Sequence, residues 1–194
     1  MSAYAIGIDP GMAAIGIAVL EILPAEERVI ELSVIRTAPS VKKRRILTRE
    51  DNVRRTQEIA TAIGRRLAVY QVRVICAEAM SFPRSASVAA KMAMCWGVIA
   101  AQATERGLPI QQASPQEIKR TLCGRSAASK DEVEAALRRR YSHASFERLL
   151  WGTPASLHEH ACDALASVVA CLDGDVVRAI RGGIAASATE GNTR

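Results

Sequence analysis

Three acids in this chain of 194 residues stand where a carboxylate is expensive. Asp9 ends the apolar run Tyr4-Ala5-Ile6-Gly7-Ile8 and is followed by Pro10-Gly11. Glu78 ends the run Val72–Ala77, and Asp163 interrupts Ala161-Cys162-Asp163-Ala164-Leu165-Ala166. A carboxylate taken out of water must meet a cation. Two or three gathered together repel one another and call for a divalent ion, for which oxygen-rich sites select magnesium or manganese. His160 lies three residues before Asp163, one turn away on the same helical face, and can join them. His158 is expected to point elsewhere, and Glu159 stands four residues before Asp163. Taken singly, each acid has an ordinary explanation as the first exposed residue after a strand or a surface residue of an amphipathic helix. Taken together they point to metal-dependent chemistry on a phosphate.

The elements that position these groups follow from the hydropathy pattern. Strands are expected over Tyr4–Asp9, Ala14–Leu20 and Val29–Arg36, with a turn through Pro24. Thr37–Thr48, with Pro39 and the Lys42–Arg45 run, reads as an exposed loop. Asn52–Tyr70 reads as a helix with Val53, Ile59, Ile63 and Leu67 near one face, Val72–Ala77 as a fourth strand, and Leu108–Gln111 as a short fifth. Ser85–Arg106 is a long helix rich in small residues, suited to close packing within the chain or against a second copy. Ser114-Pro115-Gln116-Glu117 and Ser129-Lys130-Asp131-Glu132 are capping boxes that open two further helices. A last helix is expected from Leu157 to Leu172, and His143 reads as loop. The result is one α/β domain over residues 1–175, a mixed five-stranded sheet flanked by helices. Residues 176–194 are expected as a flexible tail, because Gly182–Arg194 offers no core face. If the first and fourth strands pair in parallel, Asp9 and Glu78 stand side by side at one sheet end.

Charge adds a partner class. The chain carries +6 overall, and the segment from Arg36 to Arg66 holds ten Lys/Arg against three acids. That concentration suits a polyanion or a solvated helix face. No apolar run of about 18 residues stands out as a membrane span, and no secretory leader is evident. Five cysteines without a CxxC pair suit reduced core thiols in the cytoplasm.

Gly7-Ile8-Asp9-Pro10-Gly11, Ala77-Glu78, Lys119, Ser129-Lys130 and His160-Ala161-Cys162-Asp163-Ala164-Leu165-Ala166 together resemble the RuvC family of Holliday junction resolvases, over roughly Ala3 to Leu172. The resemblance implies an RNase H-like fold and a crossover junction endodeoxyribonuclease. Such an enzyme nicks four-way DNA junctions symmetrically in recombination and repair, leaving 5′-phosphate and 3′-hydroxyl ends. It implies Asp9, Glu78, His160 and Asp163 as metal ligands or close metal neighbours, although some members carry aspartate where this chain has His160. It places Lys119 and Lys130 near the scissile phosphate, Lys130 as the better match, and Phe82 (or Met80) where the family inserts an aromatic at the junction centre. Two Mg2+ ions, with Mn2+ as a substitute, a homodimer and a branch-migration helicase partner belong to the same expectation. The basic loop with Lys42, Lys43, Arg44 and Arg45 is longer than the family requires and is expected to contact DNA. A YqgF-type nuclease acting on ribosomal RNA precursors and a mobile-element nuclease acting on other branched DNA remain as alternatives. An actin-like ATPase or sugar-kinase fragment needs a second similar domain and an adenosine-binding Gly motif, and neither is evident.

Overall fold

The computed structural model describes residues 2–41, 46–80 and 85–191. Strands β1 (Ala3–Asp9), β2 (Ala14–Ile22) and β3 (Glu27–Arg36) come first. Helix α1 (Thr48–Val69), β4 (Val72–Glu78), α2 (Ala86–Arg106) and β5 (Ile110–Ala113) follow. The chain closes with α3 (Pro115–Cys123), α4 (Lys130–Tyr141), α5 (His143–Leu149), α6 (His158–Cys171) and α7 (Asp175–Gly191). The sheet runs β3-β2-β1-β4-β5. β2 is antiparallel to β1 and β3, whereas β4 is parallel to β1 and β5, so the sheet is mixed, as the sequence implies.

Strand alternation decides what each face can accept. On β1 and β2, Ile6, Ile8, Ile15, Ile17 and Val19 point to one side and pack with Ile59, Ile63 and Leu67 of α1 and Cys95, Ile99 and Ala103 of α2. The opposite side presents Ala5 and Ala18 to α6, with Gly7 and Gly16 at the same parity. A Cβ on Gly16 would stand 1.7 Å from the His160 carbonyl oxygen, and one on Gly7 would stand 2.2 Å from that of Ala164. Those two glycines let α6 lie directly on the sheet, and side chains there would force it away at a cost typical of overpacking. Asp9 shares the parity of Gly7, and Glu78 that of Cys76. Both acids therefore end their strands on the face that α6 covers.

Several expectations need correction. Val53 is half exposed, while Arg55 and Asp51 lie in the buried face of α1 with Ile59, Ile63 and Leu67. His143 opens a short helix rather than a loop, with Phe146 fully buried beneath it. The fifth strand begins two residues later than expected, after Leu108 has closed the end of α2 by bonding Ala103. Residues 176–191, expected as a flexible tail, continue as helix. Val177 is fully buried, and Val176, Ile180 and Ile184 pack on the core at helical spacing. Against the expectation of no span-length apolar run, α2 has 21 residues and a mean hydropathy of 1.2, enough by length and composition to cross a membrane. Its apolarity is alanine-rich, and one stripe of it, Cys95, Ile99 and Ala103, is buried against the rest of the chain. All five cysteines are unpaired, and four of them are buried.

At the sheet end opposite Asp9, a buried carboxylate joins three elements. Glu27 of β3 accepts from Arg140 Nη2 at 2.7 Å, from Tyr141 Oη at 3.0 Å and from Arg181 Nη2 at 2.8 Å. Its side chain is only 8 % exposed. Burial pushes the carboxyl up, but the Arg140 hydrogen bond and charge, with Tyr141 and Arg181, bring it below its ordinary value. Glu27→Gln is expected to cost about 1–3 kcal/mol, because it leaves two guanidinium groups short of a charged acceptor. Because the folded pKa is the lower one, the parent's advantage is complete above the unfolded carboxyl's pKa and disappears as pH falls through the folded value. Urea titrations of both proteins between pH 3 and 7 check this, and equal parent and variant stability at neutral pH would refute it.

Candidate active site

Asp9 and Glu78 stand together because the β1–β4 register, with Ile8 opposite Ala77, carries one residue further on both strands. Helix α6 then lays His160 and Asp163 over them. His160 Nδ1 donates to Asp9 Oδ2 at 2.7 Å. Asp9, Glu78, Lys119, Lys130, Glu159, His160 and Asp163 line one cleft of about 320 Å³, with Pro115, Ile118 and Val133 as its apolar wall. Every catalytic candidate named from the sequence reaches this cleft, and so does Lys119. The Lys42–Arg45 run and Phe82 lie outside the described residues. Met80 is exposed two positions beyond Glu78.

Electrostatically, the cleft is a set of acids held by too little positive charge. Burial raises the Glu78 carboxyl above its ordinary value, and the charges of Asp163 and Asp9 push it the same way, against Lys130 and Lys119. Asp163 is also raised, first by burial, with Lys130 opposing and Asp9 adding to the shift. The hydrogen bond that His160 donates to Asp9 raises the imidazole, against the effect of burial. Lys130 Nζ bonds Glu159 Oε1 and lies 3.3 Å from Asp163 Oδ2. Among the described residues, no three His, Cys, Asp or Glu side chains are drawn together tightly enough to hold one ion. Asp163 faces Lys130 and Asp9 faces His160 instead. The donor set nonetheless fits a hard divalent cation, since it is dominated by carboxylate oxygens whose mutual repulsion such an ion relieves.

Two contributors were not legible as site residues. Arg55, 5 % exposed, donates from Nε to Thr37 Oγ1 at 2.7 Å and from Nη2 to the Met12 carbonyl at 3.0 Å. Thr37 Oγ1 also donates to Met12 O at 2.5 Å. This buried guanidinium braces the turn that follows Asp9. Its only sequence signal is that Arg55 precedes Ile59 by four residues, so it falls on the apolar stripe of α1. Glu159 is the other, a fourth carboxylate at the rim. His158, as expected, points away, with Nε2 2.8 Å from the Thr153 carbonyl.

This strand order, with a carboxylate ending each of two parallel central strands and a helix carrying further ligand-type side chains across them, is that of the RNase H-like fold. Comparison with known proteins narrows the class. Residues 5–171 match the family described as crossover junction endodeoxyribonuclease RuvC, and the chain belongs to that family. The crossover junction endodeoxyribonuclease RuvC of Synechococcus sp. (strain CC9311) is 31% identical over 140 residues, covering 69% of this chain and 81% of its own. The structure of T. thermophilus RuvC in complex with a Holliday junction substrate superposes with a TM-score of 0.69 at 23% identity, covering 93% of this chain and 96% of that one. The yeast mitochondrial Holliday junction resolvase gives a TM-score of 0.61 at 9% identity, covering 92% and 82%. These two likenesses are of fold. The family is one of metal-dependent endonucleases.

Proposed function

We propose that the protein is a magnesium-dependent, homodimeric endonuclease that resolves four-way DNA junctions by paired symmetric nicks. The observation that carries this reading is the convergence of Asp9, Glu78, His160 and Asp163 in one cleft with two lysines on its wall. A DNA phosphodiester is an anion, and its hydrolysis needs an activated water and a stabilised leaving 3′ oxygen. Two divalent ions bound by these side chains supply both functions.

The chain's own residues do the rest. Asp9, Glu78 and Asp163 provide the oxygen donors, held in place by strand ends and a helix rather than by loops. His160, with its ring oriented by the bond to Asp9, completes the set. Lys119 and Lys130 offer positive charge to the phosphate oxygens as negative charge grows on them. The four-way junction as substrate follows from family membership and from the substrate named for the T. thermophilus relative. Exposed small residues on α2, Ala93, Gly97, Ala100 and Ala101, let a second copy's backbone approach closely, which supports a dimer. Two equivalent nicks across one junction need two such sites.

The test is a cleavage assay on a four-way junction, a splayed arm, a linear duplex and an RNA–DNA hybrid, each with Mg2+, Mn2+ or EDTA, beside sedimentation of the protein. The expected result is Mg2+-dependent nicking confined to the junction, at symmetric positions, by a dimer. Preference for the hybrid, or activity in EDTA, overturns the reading.

A further inference from the structure

Glu159 sits one residue before His160 on α6, more than half exposed at the rim of the cleft, and the reading above gives it no part. Its partner is Lys130. The Lys130 ammonium bonds Glu159 Oε1 and stands 3.3 Å from Asp163 Oδ2, so one cation bridges two carboxylates, with Glu159 the closer. The lysine backbone has little freedom. Lys130 is the first residue of α4, fixed by the Ser129–Glu132 capping box, in which Ser129 N donates to Glu132 at 2.8 Å. Only its flexible four-carbon stem can swing, and Lys130 Nζ is a compact point charge that follows the nearest anion.

An ammonium on Asp163 and a divalent ion on Asp163 compete, since each draws on the charge of the same carboxylate and the two cations repel. We propose that Glu159 is a positioning residue that draws Lys130 off Asp163, leaving that carboxylate to the metal and holding the ammonium at the cleft rim where the phosphate arrives. The proposal rests on the reading of Asp163 as a metal ligand. With Glu159 neutralised, Asp163 becomes the nearest anion to Lys130, and the ammonium turns from a neighbour of the metal into its competitor.

The test reads metal binding without turnover. The thermal unfolding midpoint of metal-free protein is followed while Mg2+ is added, since an ion that binds only the folded state raises the midpoint by mass action. Glu159→Gln is expected to raise the half-saturating Mg2+ concentration roughly three- to fivefold, the equilibrium equivalent of one exposed ion pair. Glu159→Asp should recover most of that loss. In a Lys130→Met background, where the competitor is gone, Glu159→Gln should change nothing. Both side chains are largely exposed, so the variants keep the fold. An equal weakening by Glu159→Gln with and without Lys130 means Glu159 acts on the cation directly, and overturns the proposal. So does no change in the single variant while the parent responds normally. A parent midpoint that ignores Mg2+ altogether overturns the metal reading as well, which separates the two failures.

Discussion

Asp9→Asn is expected to abolish junction cleavage while leaving the fold and junction binding intact. The substitution keeps the volume of the side chain and an oxygen that can accept from His160 Nδ1, which stands 2.7 Å away. It removes the charge that Asp9 offers a metal ion in the proposed site, and with it several kcal/mol of transition-state stabilisation. A loss of at least about a thousandfold in rate follows, since each 1.36 kcal/mol is a factor of ten. Above the pH at which His160 takes up its proton, stability should not suffer, because removing one of three neighbouring carboxylates also removes part of the repulsion that raises Glu78 and Asp163. The check is a pair of measurements on one preparation: single-turnover cleavage in Mg2+, and junction binding in its absence. Normal nicking by the variant would remove Asp9 from the site.

The same carboxylate shows why so much of this molecule could be read from its sequence. An acid at the end of an apolar strand has a fixed parity, so once Asp9 and Glu78 end neighbouring parallel strands they must share a face. The helix that meets them is marked by the His160–Asp163 spacing, whereas the part Gly7 and Gly16 play in admitting it is seen only in the fold. Those signals are local, and local signals survive in one dimension. Arg55 was invisible for the opposite reason. Its partners Thr37 and Met12 lie 18 and 43 residues away, and an arginine on an apolar stripe looks like an interruption until the turn it holds is seen. Glu159 was masked by neighbours with stronger claims, and its meaning depends on Lys130, 29 residues earlier. The expectation of a flexible C-terminal tail failed because it rested on Gly182–Arg194 offering no core face. Val177, Ile180 and Ile184 instead find a core face built by α6 and the sheet, and tertiary burial outweighed weak helix propensity.

His160 separates a ligand from a bystander, and pH is the instrument. Its hydrogen bond to Asp9 raises the imidazole above the ordinary value of 6.5, overcoming the opposite effect of burial. In metal-free protein the protonated imidazole and the Asp9 carboxylate form an ion pair. Because the folded pKa is the higher one, the stability this pair adds is complete below the unfolded imidazole's pKa and is lost as pH rises through the folded value. Metal binding runs the other way. An imidazole ligand must give up its proton, so Mg2+-dependent cleavage should fall as pH drops through that same raised value. His160→Asp supplies a carboxylate and should keep substantial activity with less sensitivity to acid. If His160 is a ligand, His160→Ala removes both a donor to the metal and the group that orients Asp9, and should lose about 10–100-fold. His158→Ala gives up a contact with the Thr153 carbonyl, away from the cleft, and should be nearly silent. Cleavage rates of the three variants and the parent, measured from pH 5.5 to 8.5 at saturating Mg2+, decide the matter. If His160→Ala matches the parent across that range, the site is made of Asp9, Glu78 and Asp163 alone, and the imidazole serves only to hold Asp9 in place before the metal arrives.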